Sequence, residues 1–369
     1  MKSITEILGG AQILLGVSFE LQDSFEEYLT DEHRAFLAML RVVEQHLPPV
    51  QLPQASRGRK RADDMPIIRA FLAKAFFRIS TTSALIGRLK SDASLRQICG
   101  FTSVASASTF SRRQEIFSRR HIIEQTLYRM VRDYHEGMIV GHISRDSTAI
   151  CAREKPVNNK KDAKPAKPRK RGRPKKGETR AEKKAPRLVR QRSMASGKAL
   201  RELDTACAWG SKRNSQGNVQ FWKGYKLHLD VTDLGIPVTA VVTGANVHDS
   251  QTAIPMEKLT SRNVTHLYSL MDAAYDAREI EEHITASGRV ALIERNKRQN
   301  DTRAPHDPAA RRRFRIRSNV ERSNAHLKDW LLPEKVMVQG HSKVTFCLMS
   351  GVLCLAAIKI LHHLILPGL

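Results

Sequence analysis

Strand signals that begin at residue 138 and later alternate with helix signals constrain the fold more than any other feature of this sequence. Residues 225–231 (YKLHLDV) alternate strictly between apolar and polar side chains, which is the pattern of a half-buried strand. A turn at residues 232–235 leads into a second apolar run, PVTAVVT (237–243). Together with MIVGHISRD (138–146), which looks like a strand ending in charge, these segments predict three strands in hairpin order.

The rest of this region alternates between helices and strands. The signals read helix, strand, helix, strand, helix over residues 250–259, 267–272, 277–286, 289–294 and from about 314. Asp249 directly precedes the first of these helices and is expected to cap it, with the orientation of a ligand as the alternative role. The order β-β-β-α-β-α-β-α is that of a ribonuclease H-like fold, so we predict an α/β domain with a mixed sheet over residues 138–335.

The first 135 residues predict an all-helical N-terminal domain, because apolar residues recur at three- and four-residue spacing. Within residues 1–135, a short helix near 93–98, a turn at 99–101 and a second helix from about 106 resemble a helix-turn-helix. Arg112 and Arg113 give the second helix a basic end and are candidate DNA contacts. Two packed helices without any DNA contact would produce the same pattern.

Charge indicates the class of partner. The formal net charge of +25 points to a polyanion, with nucleic acid the leading candidate, because lysine and arginine displace counterions from phosphate backbones. Residues 151–200 carry 19 Lys and Arg against 4 Asp and Glu, with no aromatic residue. Such a segment cannot bury enough apolar surface to fold by itself, so we predict a disordered basic insertion that interrupts the α/β domain.

A short motif inside this insertion resembles an AT-hook. Arg171, Gly172, Arg173 and Pro174 are flanked by further basic residues. Glycine lets the backbone approach the floor of a narrow minor groove, proline stiffens the extended chain, and narrow grooves concentrate negative potential. A basic arm without sequence preference is the alternative, and both interpretations predict a contact with double-stranded DNA.

The C-terminal segment 336–369 contains an apolar run at 344–365. Lys359, His362 and His363 interrupt that run, which favours a helix packed on the α/β domain over a membrane span. We recognise no signal peptide. The five cysteines form no C-x-x-C pair, which argues against a zinc site or a disulfide framework and suits a reducing compartment. These features favour a cytoplasmic, nucleoid-associated location without a membrane partner.

One face of the last predicted helix carries the sharpest chemical signal. Phe314, Arg317, Glu321 and Lys328 are spaced by three, four and seven residues. At about 100° per residue they fall in a stripe only about 60° wide. A carboxylate thus stands between two cations, so the acid can hold a metal ion while the cations contact flanking phosphates. A solvated helix with alternating charges is the ordinary alternative.

Two aspartates complete a candidate site with Glu321. Asp146 and Asp272 lie at or beyond the ends of predicted strands, where neighbouring strands of an open sheet bring side chains together. Three converging carboxylates repel one another, so a divalent ion is expected between them. Oxygen ligands favour Mg²⁺ or Mn²⁺ over zinc, and two such ions can assist an in-line displacement at phosphorus. Capping or a salt bridge is the alternative role for each aspartate.

These motifs together resemble the DDE transposases of bacterial insertion sequences, in the insertion-sequence-four/five-like group. The C-terminal signature of that group, Tyr-x2-Arg-x3-Glu-x6-Lys, is present from residue 314 to 328 with phenylalanine at the tyrosine position. Its two aspartate signatures appear as Asp146-Ser147-Thr148 and Asp272-Ala273-Ala274-Tyr275. Residues 221–251 look like its second and third strands. Phenylalanine preserves ring packing but removes the phenol hydroxyl.

The resemblance implies a chemistry and its partners. Asp146, Asp272 and Glu321 are implied as the catalytic and metal-binding acids, with two Mg²⁺ or Mn²⁺ ions. The implied reaction is cleavage at transposon ends followed by transfer of the freed 3′-hydroxyl into target DNA. Terminal inverted repeats and target DNA are the implied partners, and the pairing of two ends implies a homodimer on DNA.

Further DNA contacts follow from the same resemblance. Tyr275, Arg317 and Lys328 are implied to contact DNA phosphates, with packing or ion pairing as the competing role. Two other functions remain open from sequence alone. One is a catalytically silent DNA-binding regulator derived from a transposase, and the other is a nuclease of the ribonuclease H fold.

Overall fold

The computed structural model describes residues 29–49, 63–157, 185–213, 216–296 and 306–365. Within these ranges a single mixed sheet of seven strands forms the centre of the protein. The strands are β1 (Ile139–Ala152), β2 (Ala208–Arg213), β3 (Val219–Val231), β4 (Pro237–Gly244), β5 (Thr265–Met271), β6 (Val290–Ile293) and β7 (Lys335–Val336).

Helices occupy most of the remaining described chain. The first six are α1 (Asp31–Glu44), α2 (Met65–Phe76), α3 (Thr82–Ser91), α4 (Ala93–Cys99), α5 (Ala107–Arg119) and α6 (Ile122–Tyr134). The later ones are α7 (Arg187–Ser193), α8 (Ser196–Arg201), α9 (Ser250–Asn263), α10 (Arg278–Thr285), α11 (Pro308–Phe314), α12 (Ser318–His326) and α13 (His341–Ile365). A 3₁₀ turn at Arg315–Arg317 joins α11 to α12, and a π-helical turn at Leu327–Leu331 follows α12.

The pairing of the central strands agrees with most of the predicted order. Strand β3 is antiparallel to both β1 and β4, whereas β5 is parallel to β1 and β6 is parallel to β5. The spatial order β4-β3-β1-β5-β6 therefore joins an antiparallel trio to two parallel strands, and helices α9 and α10 connect the parallel part. The predicted mixed α/β sheet with a helical front region is confirmed.

Two features of the sheet differ from the prediction. Strand β1 continues six residues past Asp146, because its second half pairs with β3 through Cys151 and Gly224. Strand β2 was not predicted, and it pairs with the first half of β3. Glycine is required where these strands meet, since Gly224 has φ +152° and a Cβ atom there would lie 2.1 Å from the Ile150 carbonyl oxygen.

The predicted disorder of the basic insertion is wrong for its last part. Helices α7 and α8 are packed, and the Gln191 side chain in α7 is fully buried. The Lys258 ammonium of α9 donates hydrogen bonds of 2.7–2.8 Å to three carbonyl oxygens at the end of α7. Hydrogen bonds from a distant helix therefore order this basic stretch. The AT-hook-like residues Arg171, Gly172, Arg173 and Pro174 lie outside the described residues.

The predicted helical hairpin is present in the front region. Helix α4 ends at Gly100, which adopts a left-handed conformation with φ +84° and closes the turn. The Ser106 hydroxyl accepts a hydrogen bond from the Thr109 amide and caps α5. The sequence therefore placed both helices correctly, whereas their contact with DNA stays a prediction.

Helix α13 joins the front helices to the sheet. It packs against α1, α2, α5 and α6 as well as β4, so it lies on the helical region as much as on the α/β domain. Its buried residues belong to one hydrophobic core that also includes side chains of those helices and strands. By length and composition α13 is the one described helix that could cross a membrane, but 72% of its apolar window is buried inside the protein.

A buried ion network supports the strand that carries Asp146. The Arg145 guanidinium is 1% exposed and donates to both carboxylate oxygens of Asp230 at 2.7 Å and to Glu257 at 3.2 Å. Burial alone would raise the pKa of Glu257. A hydrogen bond from His266 and the charge of Arg145 outweigh burial and lower this pKa to about 2. Arg289 also contacts Glu257. Arg145 therefore compensates two buried acids from a single strand position.

Replacement of Arg145 by methionine is expected to destabilise the fold by about 3–5 kcal/mol, because buried Asp230 loses its arginine and buried Glu257 keeps only Arg289 and His266. The matched control is Arg278→Met, since Arg278 makes an i,i+4 ion pair with Glu282 but its side chain is 88% exposed. Urea denaturation measures both. Equal midpoints for the two variants would contradict the structural importance of the Arg145 network.

Candidate active site

The register of β1 against β5 brings two aspartates together. The last parallel pair aligns Arg145 with Met271, so the next residues along the two strands are Asp146 and Asp272. Asp272 ends its strand and accepts a hydrogen bond of 3.0 Å from the Ala274 amide. Asp146 instead lies inside β1, so its predicted position at a strand end is wrong. It lies where the parallel pairing stops, which places it at a position next to Asp272, close enough for the charge of Asp272 to act on it.

Burial and mutual repulsion make these carboxylates hard to ionise. Burial raises the pKa of Asp146 to about 6, and the charge of Asp272 adds to this effect. Burial likewise raises the pKa of Asp272, with the charge of Asp249 contributing. The Arg317 guanidinium opposes both shifts. The pair is therefore a concentration of negative charge that favours a nearby cation.

Glu321 does not join the two aspartates in this conformation. Its side chain is 54% exposed and forms an ion pair with Arg317, one helical turn earlier. In the described part of the chain, no group of three His, Cys, Asp or Glu residues is arranged to hold a metal ion. The structure thus brings together two of the three predicted acids, and Arg317 is the cation that interacts with all three.

Helix α12 contacts Asp146 through a residue that sequence reasoning missed. The Asn324 amide nitrogen donates a 3.0 Å hydrogen bond to Asp146 Oδ2. Asn324 lies three residues after Glu321 and four before Lys328, so it falls on the same helix stripe. Its place in that stripe was the signal that could have identified it.

Asp249 borders the site as a charged neighbour and not as a helix cap. Its carboxylate makes no capping hydrogen bond to α9, which corrects the predicted role. It instead accepts a 2.9 Å hydrogen bond from the Lys226 ammonium and a hydrogen bond from the Ser147 side chain. Next to it, burial lowers the pKa of His228 to about 4, so that imidazole is neutral near pH 7.

The other residues predicted to contact DNA lie in different environments. Tyr275 is fully buried beside Asp272, so in this conformation its ring packs in the protein and faces no solvent. Lys328 is exposed and lies close enough to Asp146 and Lys212 for their charges to act on it. A contact between Lys328 and phosphate therefore needs no rearrangement of the fold.

The two arginines of the helical hairpin also differ. Arg113 is 8% exposed and forms a 3.0 Å ion pair with Asp64, which makes it a structural residue and corrects its predicted DNA contact. Arg112 is exposed and donates to the Ser108 carbonyl oxygen of its own helix. Arg112 remains a predicted DNA contact.

Comparison with protein families identifies the chain. The family described as "Transposase DDE domain" matches residues 146–356, more than half of the sequence. The chain belongs to the DDE transposase family. A second family, "Transposase domain (DUF772)", matches residues 23–116 of the helical front region, and this pairing is typical of insertion-sequence transposases. Comparison with curated proteins and with solved structures gave no match.

Membership gives the general activity of this DDE transposase. It is a DNA transposase and therefore a DNA-binding enzyme with a transposition-related function. The family match begins at Asp146 and ends at residue 356, so it includes most of α13. The matched region thus contains all three predicted acids together with the helix that joins the sheet to the front helices.

Members of this family generally use divalent metal ions, typically Mg²⁺. The residues of this DDE transposase fit such an ion in two respects. Asp146 and Asp272 are carboxylates at neighbouring strand positions, and a divalent cation would favour their ionisation. The Asn324 side-chain oxygen beside them is buried and has no hydrogen-bond partner in the described structure. Carboxylate and amide oxygens are the ligands that Mg²⁺ and Mn²⁺ prefer.

Substitution Asp146→Asn is expected to stabilise the metal-free protein. The folded state disfavours the charged form of Asp146, since its pKa rises from the ordinary value of 3.8 to about 6. This cost is absent below the unfolded pKa, develops as pH rises, and is complete above about pH 6. The variant should therefore gain on the order of 2 kcal/mol at pH 8, and less than half of that at about pH 4.5.

Urea denaturation at the two pH values, in the presence of a chelator, measures this gain. Asp329→Asn serves as the control, because Asp329 is an exposed carboxylate on the π-helical turn and should show no gain at either pH. A variant Asp146→Asn that is less stable than the wild type at pH 8 would contradict the proposed strain between the two aspartates.

Proposed function

We propose that this DDE transposase cleaves DNA at transposon ends and joins the freed 3′-hydroxyl to target DNA in one site formed by Asp146, Asp272 and Glu321. The single observation that carries the proposal is the adjacency of the two aspartates at the end of the β1–β5 pairing, beneath the helix that carries Glu321. Attack by water gives a 3′-hydroxyl and a 5′-phosphate. Attack by that hydroxyl then exchanges one phosphodiester for another.

The fold supports this proposal. The order β4-β3-β1-β5-β6, with an antiparallel trio and two parallel strands, is the arrangement expected of a ribonuclease H-like sheet. The first aspartate then lies on the central strand and the second follows the neighbouring parallel strand. Helix α12 packs on β1 and β3, which keeps Glu321 on the covering layer above both.

Completion of the site requires Glu321 to exchange partners. In the described conformation Arg317 neutralises Glu321 and also acts on the charges of Asp146 and Asp272. A DNA phosphate is a competing anion for an arginine, which can bind two phosphate oxygens at once. Transfer of Arg317 to the DNA backbone would free Glu321 to turn toward the aspartates. The acids would then assemble only when DNA is bound.

Divalent ions, two Mg²⁺ or Mn²⁺ in our proposal, supply Lewis-acid activation of the attacking oxygen and stabilise the leaving oxygen. The residues of the chain do the remaining work. Asp146 and Asp272 hold the ions on a rigid sheet, and Glu321 adds its carboxylate from α12. Arg317 and Lys328 contact the flanking phosphates. The arrangement positions the scissile phosphate in line with the attacking group.

Double-stranded DNA, as terminal inverted repeats and target, is the proposed partner. Lys212 and Lys328 extend positive charge from the active site along β2 and the π-helical turn. The net charge of +25, concentrated in residues 151–200, adds a wider electrostatic attraction. We also propose a homodimer on DNA, because the two ends of a mobile element must be joined in one assembly.

Substitution Asp272→Ala is expected to reduce Mg²⁺-dependent strand cleavage by on the order of 10³-fold or more, as loss of other essential active-site groups does. Binding to DNA that carries a terminal repeat should persist, because phosphate contacts from Arg317, Lys328 and the basic arm remain. The matched control is Asp329→Ala, which removes an exposed carboxylate on the π-helical turn.

A labelled terminal-repeat duplex measures both activities, by denaturing gel for cleavage and by filter binding for affinity. Normal cleavage by Asp272→Ala would sink the catalytic assignment. Cleaved ends without any joined product from the wild type would favour a nuclease, and the absence of nicking would favour a silent regulator.

Replacement of residues 158–184 by a glycine-serine linker of equal length is expected to weaken DNA binding and flatten its salt dependence. The logarithmic slope should fall by about 0.9 for each phosphate that the protein no longer neutralises. This segment excludes the packed helices α7 and α8, so the urea midpoint should remain unchanged. A binding curve that matches the wild type across a salt series would count against a DNA-binding arm.

A further inference from the structure

An amide side chain next to Asp146 has a buried atom without a partner. Asn324 is 7% exposed, and its nitrogen donates to Asp146 Oδ2 at 3.0 Å. Its oxygen is buried, and none of the described residues donates a hydrogen bond to it. An unsatisfied buried acceptor costs about 1–3 kcal/mol. An apolar residue would avoid that cost, so the amide oxygen is expected to have a partner in the functional state.

The surroundings of Asn324 indicate what that partner is. The amide nitrogen and oxygen share one carbon atom, so the oxygen stays next to the Asp146 carboxylate as long as the nitrogen holds it. The strand register places Asp146 and Asp272 at neighbouring positions, and two neighbouring carboxylates already favour a cation at this place. A neutral amide oxygen adds a further acceptor without adding repulsion between the acids. A cation with an ordered water shell would satisfy the amide oxygen and the aspartates together.

We propose that Asn324 is a positioning residue of the metal site, a role that rests on the function proposed above. Its amide nitrogen fixes the orientation of the Asp146 carboxylate, and its oxygen accepts a hydrogen bond from a water bound to the divalent ion. Groups that orient ligands in this way typically change metal affinity by about 10–100-fold when removed. Asn324 thus belongs to the site although it carries no charge and lies outside the acid signatures.

The hydrogen bond between Asn324 and Asp146 also explains how one residue of α12 can contact the aspartates while Glu321 on the same helix does not. Asn324 anchors the helix to β1 through Asp146, while Glu321 remains outside on Arg317. We expect Glu321 to turn its side chain toward the aspartates while Asn324 keeps the backbone of α12 in place. The position of α12 on the sheet is therefore fixed before Glu321 turns toward the aspartates.

Binding of Mn²⁺ to the full-length protein, followed through the electron paramagnetic resonance signal of free Mn²⁺, tests this role without using activity. Asn324→Ala is expected to raise the Kd for Mn²⁺ about tenfold or more. Asn319→Ala is the matched control, because Asn319 lies on the same helix and donates a 2.7 Å hydrogen bond to the Asp233 carbonyl oxygen away from the acids. That control should stay within about twofold of the wild type.

A second variant separates the two functions of the amide. Asn324→Asp keeps an oxygen at this position and adds a negative charge, so it should bind Mn²⁺ at least as tightly as the wild type although the amide donor is lost. Equal weakening by Asn324→Asp and Asn324→Ala would overturn the role of the oxygen. Far-UV circular dichroism verifies folding, and if Asn324→Ala is unfolded, Asn324→Asp against the wild type alone decides the outcome.

The double variant Asp146→Asn with Asp272→Asn separates this inference from the proposed function. If the double variant loses Mn²⁺ binding while Asn324→Ala retains wild-type affinity, the role of Asn324 is refuted and the metal site of the aspartates stands. If the double variant also binds Mn²⁺ as the wild type does, the proposed metal site itself fails.

Discussion

The parallel pairing of β1 with β5 holds two carboxylates side by side, and most of the site follows from this constraint. The register that aligns Arg145 with Met271 leaves Asp146 next to Asp272 where the pairing ends. Burial and repulsion raise both pKa values, so the fold carries an electrostatic strain that a cation relieves. Such strain is stable only on a rigid support. The buried ion pairs of Arg145 and the shared hydrophobic core around α13 provide that support.

Glu321 lies on helix α12, whereas Asp146 and Asp272 lie on strands of the sheet or directly after them. Glu321 is exposed and paired with Arg317, whereas Asn324 already connects the same helix to Asp146. A single arginine therefore interacts with all three acids in the described state. DNA is the natural competitor for that arginine, so in the function that we propose substrate binding and assembly of the metal site would be one event. This coupling would protect cellular DNA from a preassembled phosphoryl-transfer centre.

The sequence predicted the mixed sheet, the front helices and the adjacency of Asp146 and Asp272, because strand alternation and helix periodicity are local signals. The predictions that proved wrong concern residues whose structure depends on a partner far away in the sequence. The charge of Arg145 suggested the end of a strand. Asp230 and Glu257 instead form ion pairs with the buried guanidinium, and β1 continues to Ala152. Residues 187–201 look too basic to fold. Hydrogen bonds from the Lys258 ammonium to backbone carbonyl oxygens of this stretch order it. Arg113 looked like a DNA contact until Asp64 proved to be its partner, and no charge pattern marks an uncharged residue such as Asn324.

In the function that we propose, DNA draws Arg317 away and lets Glu321 complete the site with the two aspartates. A structure of the chain bound to an uncut terminal-repeat duplex with Ca²⁺, which occupies such sites with little turnover, tests it most directly. Our account predicts an ion touching Asp146 and Asp272, with Glu321 turned toward it and Arg317 on a DNA phosphate. An ion bound elsewhere, or Glu321 still paired with Arg317 beside correctly placed DNA, would contradict the account.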